Sequence, residues 1–253
     1  MRVHRLHTSQ KLEAGCEVRL EEAAAHYLGR VLRVRPGQSV ALFNGDGCEY
    51  PARVVRVRKK QVDLCVTGRA DGQPESPLRI TLAQGINRGE RMDQTLQKCT
   101  ELGVAGFQPL ISERVEIRCD SEKMARRLGH WRSVVISACE QSGRCTVPIV
   151  SEPLELMEWL ALEAAPTRIA LAPGAGRALV DTHCADRVEI AIGPEGGFSA
   201  AELERMQSQG VSLAGLGPRV LRTETAGPAA VAVMQAVAGD LGGGLRRFSR
   251  PVG

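Results

Sequence analysis

Two loops near the end of the chain, each containing glycine and each preceded by a short apolar run, constrain the fold more than any other feature. The first reads G-P-E-G-G-F-S over residues 193–199, and the second reads G-P-R-V-L-R-T-E-T-A over residues 217–226. Each apolar run has the length of a buried strand, and each loop leads into a helix-like pattern. Ligands of open α/β sheets bind at such turns, because backbone N–H groups and side chains converge beyond the strand ends. The two loops therefore form a candidate ligand site.

Alternating apolar runs and amphipathic segments from residue 78 onward predict an α/β domain over residues 78–253. Such alternation is typical of a mostly parallel sheet with helices on both faces. Ser199 and Glu202 have the spacing of a capping box and predict the start of a helix. The predicted strands are 78–83, 107–111, 168–172, 188–192 and 211–216, and the predicted helices are 90–102, 121–141, 153–164, one from 199 and 223–238.

Residues 1–70 predict a separate, smaller β domain. Short strand-like runs surround one helix-like segment at 21–32, and the N-G-D-G sequence at 44–47 is a strong hairpin signal because such residues tolerate positive φ. A closed or nearly closed β structure is the expected outcome. The polar, turn-rich residues 71–77 are predicted to be a linker.

The charge of the chain is unevenly distributed. Residues 1–70 hold 13 lysines and arginines against 7 acidic residues, whereas the remainder holds 20 against 22. A basic first quarter attracts phosphate-rich partners through counterion release, although a solvated basic surface would have the same composition. Only 3% of the residues are aromatic, which disfavours a broad base-stacking platform.

Several classes of protein are excluded or disfavoured by missing patterns. The eight cysteines contain no C-x-x-C pair and the five histidines no H-x-x-x-H pair, so reduced thiols and no metal site are expected. There is no phosphate loop, nucleophile elbow, zinc-protease signature or dinucleotide fingerprint. No export signal or membrane span is recognised, and a soluble cytoplasmic protein is expected.

The two loops, taken with the apolar residues before them, resemble a known family. I-G-P-E-G-G at 192–197 and L-G-P-R-V-L-R-T-E-T-A at 216–226 are similar to the signature segments of the bacterial 16S ribosomal RNA uridine-N3 methyltransferases, the RsmE family. Segments at 29–33, 97–103, 112–114 and 138–144 resemble further family segments in the same order. The resemblance covers nearly the whole chain.

This resemblance implies a fold, a cofactor and partners. The family belongs to the SPOUT methyltransferases, so it implies a trefoil-knotted α/β domain at 78–253 and a PUA-like RNA-binding β-barrel at 1–70. It also implies a homodimer that binds S-adenosylmethionine in the knot and methylates N3 of a specific uridine in 16S rRNA of the small ribosomal subunit. The cofactor contacts that it implies are Leu171, Pro173, Gly193, Pro194, Glu195, Gly196, Gly197, Leu216, Gly217, Leu221, Thr223, Thr225 and Ala226.

The chemistry of the implied reaction suggests catalytic candidates. Uracil N3 carries a proton, so its methylation needs a base or stabilisation of the anion at the flanking carbonyl oxygens. Arg222 is the first candidate for that stabilisation, while Glu224 could accept the proton or orient Arg222. Arg114 is the second candidate and could approach from the other subunit. The candidate RNA phosphate contacts are Arg2, Arg5, Arg30, Arg33, Arg58, Lys59 and Lys60.

The sequence is also compatible with other functions. A knotted methyltransferase could act on another RNA acceptor, such as a ribose of transfer RNA, with the same loops. A non-catalytic RNA-binding assembly factor could use the loops only as structure. A nucleotide-hydrolysing enzyme is weakened by the missing phosphate loop.

Overall fold

A computed structural model describes residues 3–115, 121–163 and 165–242 of the 253-residue chain. The chain divides into two compact units. The first unit extends to Glu75 and also includes Ile136–Val147, and the second unit comprises Ser76–Val135 and the residues from Pro148 onward. Arg2 lies outside the described residues, as does the side chain of Arg30.

The first unit is built on a six-stranded sheet with strand order β1-β3-β4-β5-β2, and β6 pairs with β4. β1 and β3 are parallel, and the other pairs are antiparallel. Alternation along β4 buries Ala52 and Val54 and exposes Arg53, as expected for a strand with one face on a core. The elements are β1 (His4–His7), β2 (Glu17–Glu21), α1 (Glu22–His26), β3 (Ser39–Phe43), β4 (Cys48–Arg58), β5 (Gln61–Val66) and β6 (Ala70–Asp71).

The single helix predicted at 21–32 is wrong in detail. α1 lasts little more than one turn and continues as a π-helical turn over Tyr27–Val31. There the N–H of Leu32 donates to the carbonyl oxygen of Tyr27, five residues back, at 2.9 Å. The hairpin turn at 44–47 is confirmed, with φ of 94° at Gly45 and 86° at Gly47.

Residues 136–147 belong to the first unit because of specific packing. Cys139, Cys145 and Val147 form an apolar cluster with Phe43 of β3. The backbone N–H of His7 also donates to the Glu140 carboxylate at 3.0 Å. The helix that contains Ser121–Ser142 therefore contributes its final residues to this unit.

The second unit contains a seven-stranded sheet in the order β10-β8-β7-β12-β11-β13, with β9 also paired to β8. Every pairing between its described strands is parallel, which confirms the predicted α/β class. Near-continuous burial of β7 and β12 shows that both sheet faces are covered. The strands are β7 (Arg79–Gly85), β8 (Gly106–Ile111), β9 (Ile149–Val150), β10 (Leu154–Glu155), β11 (Thr167–Leu171), β12 (Arg187–Ile192) and β13 (Ser212–Ala214).

Five α-helices are described in this part of the chain, and one of them begins later than predicted. The helices are α2 (Glu90–Glu101), α3 (Ser121–Ser142), α4 (Leu156–Ala161), α5 (Ala200–Ser208) and α6 (Thr223–Ala238). The helix predicted from residue 153 is wrong at its start, because Leu154 and Glu155 pair with β8 instead. The N–H of Glu155 then donates to the Glu158 carboxylate at 3.0 Å, which fixes the beginning of α4. None of the described helices has the length and apolar character needed to cross a membrane.

Candidate active site

Three neighbouring strands end at one cleft in the second unit. β12, β11 and β13 are adjacent and parallel, so their carboxyl ends lie at the same edge of the sheet. The residues that follow them surround a cleft of about 550 Å³. Its lining comprises Arg91, Arg114, Leu171, Ala172, Pro173, Ile192–Phe198, Leu203, Ala214, Leu216, Gly217, Arg219–Glu224 and Ala226.

The first loop has a tightly folded backbone that requires glycine at two positions. A Cβ atom on Gly193 would lie 2.9 Å from both Cα and the carbonyl carbon of Gly197, so no larger residue fits there. Gly197 has a φ of 67°, and its N–H donates to the carbonyl oxygen of Pro194 at 2.8 Å. Gly85 at the end of β7 approaches Pro194 closely, since a Cβ on Gly85 would lie 2.5 Å from the Pro194 nitrogen. The loop is therefore fixed in one shape.

The second loop returns from the edge of the sheet toward its centre. It leaves β13, and its last residues begin α6 beside the end of β12. The Thr223 hydroxyl donates to the carbonyl oxygen of Gly193 at 2.8 Å and accepts from the Gln84 side-chain amide at 3.0 Å. Thr223 and Gln84 are both buried. The side chain of Thr223 thus joins the two loops, and its hydroxyl is already engaged with protein groups.

Four charged side chains of alternating sign lie along one wall of the cleft. Arg91 Nη1 lies 2.9 Å from Glu195 Oε1, and Arg91 Nε lies 3.8 Å from Glu224 Oε1. Arg222 Nη1 lies 4.0 Å from the same Glu224 oxygen. The Glu224 side chain is only 14% exposed, whereas that of Arg222 is 82% exposed. Arg222 therefore presents its guanidinium to solvent at the mouth of the cleft.

Two backbone N–H groups and one arginine side chain donate hydrogen bonds to the Glu195 carboxylate. Burial raises the pKa of its carboxyl, but hydrogen bonds from the Arg88 N–H, from its own N–H and from Arg91 outweigh that effect and leave the pKa below its ordinary value. The Arg88 N–H donates to Oε1 at 2.9 Å. This carboxylate is therefore an anchor for the first loop.

Arg114 reaches the cleft from the loop that follows β8. Its Nη1 donates to the carbonyl oxygen of Gly196 at 2.7 Å. A Cβ on Gly196 would lie 3.2 Å from Cβ and Cδ of Arg114, so the arginine stem lies directly against the glycine. No second subunit is needed to bring Arg114 to this position.

The structure brings nearly all of the predicted site residues together. The three catalytic candidates and every predicted cofactor contact except Thr225 line the cleft, while Thr225 is exposed and lies outside its lining. The cofactor contacts named from the sequence did not include Ala172, Ile192, Ala214, Phe198 and Leu203, the first three of which could have been inferred from their positions at strand ends. Arg91 was not predicted at all, and Arg219 and Val220 were placed in the second loop without a named role.

The predicted RNA contacts do not share one environment. Arg33, Arg58, Lys59 and Lys60 are exposed, and the two lysines form the turn between β4 and β5. Arg5 is instead engaged inside the first unit, and we therefore do not retain it as a surface phosphate contact. Its guanidinium pairs with Glu49 at 3.3 Å, donates to the carbonyl oxygen of Arg144 at 3.2 Å and lies over the Phe43 ring.

Two family models match the chain. One describes an RNA methyltransferase domain and matches residues 74–235. The other describes an RNA methyltransferase PUA domain and matches residues 20–65. The two matches follow one another along the chain without overlap.

Curated proteins and solved structures also resemble the chain over most of its length. Ribosomal RNA small subunit methyltransferase E from Buchnera aphidicola subsp. Schizaphis graminum is 31% identical over 95% of this chain and 98% of its own length. The protein of the same name from Bacillus subtilis is 28% identical over 87% of this chain and 90% of its own.

Among solved structures, ribosomal RNA small subunit methyltransferase E from Neisseria gonorrhoeae, bound to S-adenosylmethionine, has a TM-score of 0.88 and 38% identity. A Legionella pneumophila protein in complex with the same cofactor has a TM-score of 0.92 and 40% identity. Each match covers 95% of this chain and 100% of the solved chain.

Proposed function

The chain belongs to the ribosomal RNA small subunit methyltransferase E family, and on that premise we propose that it methylates N3 of a uridine in 16S rRNA. The donor in this proposal is S-adenosylmethionine, and the substrate is the small ribosomal subunit. The observation that carries the proposal is the meeting of the two loops, through Thr223 and Gly193, around one cleft with an exposed arginine at its mouth.

The cleft has the chemical character that S-adenosylmethionine needs. Leu171, Leu216 and Leu221 provide apolar walls for an adenine ring. A Cβ on Gly197 or Gly217 would meet no atom within 4 Å outside the adjacent residues, so there is open space beside both glycines. When bound, this cofactor supplies a methyl group activated by a sulfonium. The residues of the two loops would hold it and keep water away from the reacting atoms.

Arg222 is the residue that we assign to charge stabilisation. Uracil releases its N3 proton to bulk water before N3 bonds to the methyl carbon and the bond from that carbon to sulfur breaks. The negative charge left on the uracil carbonyl oxygens can be stabilised by a hydrogen bond from the exposed guanidinium at the mouth of the cleft. Glu224 pairs with both Arg91 and Arg222, which suits a carboxylate that orients the exposed Arg222 guanidinium. We therefore assign Glu224 to orienting Arg222, and Arg114 to the backbone of Gly196 beside the cofactor.

The first unit is proposed to bind the RNA. Arg33, Arg58, Lys59 and Lys60 are exposed cations that can neutralise phosphates without reading a sequence. Recognition through RNA shape and backbone agrees with the low aromatic content of the chain. Arg2 and Arg30 keep this assignment only as sequence-based predictions, because their side chains lie outside the described part of the chain.

A homodimer in the cytoplasm is the proposed working state. α6 leaves several small residues half-buried or exposed, including Ala226, Ala229, Ala232 and Ala236, and small residues allow helices to approach closely. A second copy of the chain could pack against this face. Light scattering over a range of concentrations tests the proposal, and a monomer at micromolar concentration would contradict it.

One experiment separates this function from its alternatives. Small subunits lacking the modification are incubated with the protein and labelled S-adenosylmethionine, and the labelled nucleotide is mapped. Label on uridine N3 supports the proposal, whereas label on a ribose or another base would refute it. Absence of cofactor binding in calorimetry would favour a non-catalytic assembly factor.

A further inference from the structure

Arg91 links the two loops of the candidate active site, although it lies about 100 residues before the first of them. It belongs to the first turn of α2, and its guanidinium contacts a carboxylate from each loop. Nη1 lies 2.9 Å from Glu195 of the first loop, and Nε lies 3.8 Å from Glu224, at the start of α6. The Arg91 guanidinium thus uses a different nitrogen atom for each carboxylate, and a single planar group contacts both loops.

The first loop does not depend on Arg91 alone. The Arg88 N–H holds the same Glu195 oxygen, and the bond from Gly197 N–H to Pro194 closes the turn internally. Close packing of Gly193 against Gly197 restricts the backbone further. Loss of the Arg91 side chain should therefore leave this loop, and the cofactor contacts proposed for it, largely in place.

The carboxylate of Glu224 has less support. Among the described residues, its ion-pair partners are Arg91 and Arg222. Arg222 is 82% exposed and cannot fix Glu224 by itself, because a solvated side chain retains much of its rotamer freedom. Arg91 emerges from a helix and is the better-fixed partner.

We propose that Arg91 is a positioning residue, which sets Glu224, and through it Arg222, at a defined place relative to the first loop. This inference rests on the proposed function, because it concerns the geometry of methyl transfer. Lysine would keep the charge and has three N–H donors, but all three lie on one nitrogen atom, so it could not place separate nitrogen atoms beside the two carboxylates as Arg91 does. The expected consequence is a defect in the rate of methyl transfer with little change in cofactor affinity.

The test compares Arg91→Met, Arg91→Lys and the control Arg79→Met. Arg79 is exposed at the opposite, amino end of β7. Cofactor affinity is measured by calorimetry, kcat and KM by methyl transfer to small subunits, and folding by thermal unfolding. We expect Arg91→Met to lower kcat by about tenfold or more and to change the cofactor Kd by less than about threefold. Arg91→Lys should recover part of kcat, and Arg79→Met should match the wild type.

The outcomes separate this inference from the function on which it rests. An unchanged kcat in Arg91→Met would overturn the positioning role while leaving the methyltransferase assignment intact. A parallel loss of cofactor affinity, kcat and thermal stability would also overturn it, since that pattern indicates a purely structural arginine. A wild-type protein that binds no cofactor and transfers no methyl group would overturn the proposed function and this inference together.

Discussion

The hydroxyl of Thr223 donates a 2.8 Å hydrogen bond to the carbonyl oxygen of Gly193, and this bond joins the two loops of the candidate active site. The same hydroxyl accepts from the side-chain amide of Gln84, which is fully buried at the end of β7. One small side chain therefore connects the start of α6 with the ends of two central strands. Such a buried, fully engaged hydroxyl is sensitive to replacement, because the fully buried Gln84 amide would lose a partner that water cannot replace.

Replacement of Thr223 by valine should destabilise the protein with almost no change of volume. The variant leaves the Gly193 carbonyl and the Gln84 amide without this partner, which should lower the free energy of unfolding by about 1–3 kcal/mol. Urea unfolding measures this effect. Thr223→Ser keeps the hydroxyl and is the matched control. Equal stability of the valine and serine variants would show that the hydrogen bond contributes nothing.

Replacement of Gly193 by alanine should disrupt the first loop. The added methyl group would lie 2.9 Å from the backbone of Gly197, so one of the two segments must move. We expect cofactor affinity, measured by calorimetry, to fall by about tenfold or more. Gly176→Ala is the control, because a Cβ there meets no atom within 4 Å. Wild-type affinity in Gly193→Ala would mean that the cofactor does not depend on this loop.

Features fixed by local sequence were predicted well, and features fixed by distant contacts were not. The Ser199 capping box is confirmed by reciprocal bonds with Glu202 of 3.2 and 2.8 Å, because four consecutive residues determine it. The parallel sheet followed from apolar runs. Arg91, in contrast, lies on an amphipathic helix with no local pattern that marks it as a site residue. Its role depends on the contact with Glu195, which forms only when the sheet brings the two segments together.

The association of residues 136–147 with the first unit was likewise invisible in the sequence. It depends on Cys139 and Cys145 packing against Phe43, about 100 residues earlier, and no periodicity indicates such a contact. The two loops were predicted to form one ligand site from their positions after apolar runs, but identification of the cofactor required the family resemblance, and the adjacency of the strands required the structure. The apolar runs alone predicted strands but gave no order for them.

Replacement of Arg222 by alanine should abolish methyl transfer without preventing cofactor binding. The side chain is exposed and its ion pair with Glu224 is long, at 4.0 Å, so its removal should leave the fold intact. We expect the transfer rate to fall by about 100-fold and the cofactor Kd to stay within about threefold. Arg187→Ala, an exposed change at the amino end of β12, is the control. Unchanged turnover would remove Arg222 from the mechanism.

The contribution of Glu195 to the free energy of unfolding should decrease as the pH is lowered into the acid range. Burial raises its pKa, but the hydrogen bonds from Arg88, its own N–H and Arg91 outweigh this and hold the folded-state pKa below the ordinary value of 4.5. Ionised Glu195 therefore stabilises the fold fully above pH 4.5, and this stabilisation is lost as the pH falls through the lowered folded-state pKa.

Glu195→Gln should thus be less stable than the wild type at neutral pH, and the difference should shrink under acid conditions. Urea unfolding at a series of pH values measures it. Glu204→Gln, which changes an exposed carboxylate on α5, should show no comparable pH-dependent difference. A difference between wild type and Glu195→Gln that stays constant from neutral to acid pH would contradict the ionised anchor.

Two sets of basic residues in the first unit should behave in opposite ways. Arg58, Lys59 and Lys60 are exposed at the β4–β5 turn, whereas the Arg5 side chain is only 15% exposed and pairs with Glu49. Replacing the three exposed residues by alanine should weaken binding to small subunits. The slope of the logarithm of the binding constant against the logarithm of the salt concentration should also become less steep, by about one unit for each phosphate that is no longer neutralised. Their replacement should change stability by less than about 0.5 kcal/mol.

Arg5→Met should instead lower the free energy of unfolding by about 1–3 kcal/mol, because it leaves the carbonyl oxygen of the buried Arg144 and the half-buried Glu49 carboxylate without this partner. Filter binding over a range of salt concentrations and urea unfolding distinguish the two behaviours. If Arg5→Met reduced the salt slope without loss of stability, Arg5 would have to leave its internal contacts to bind phosphate. The charged surface that meets RNA would then include an arginine that makes internal contacts in the free protein, and such contacts would no longer separate structural from RNA-binding arginines in this unit.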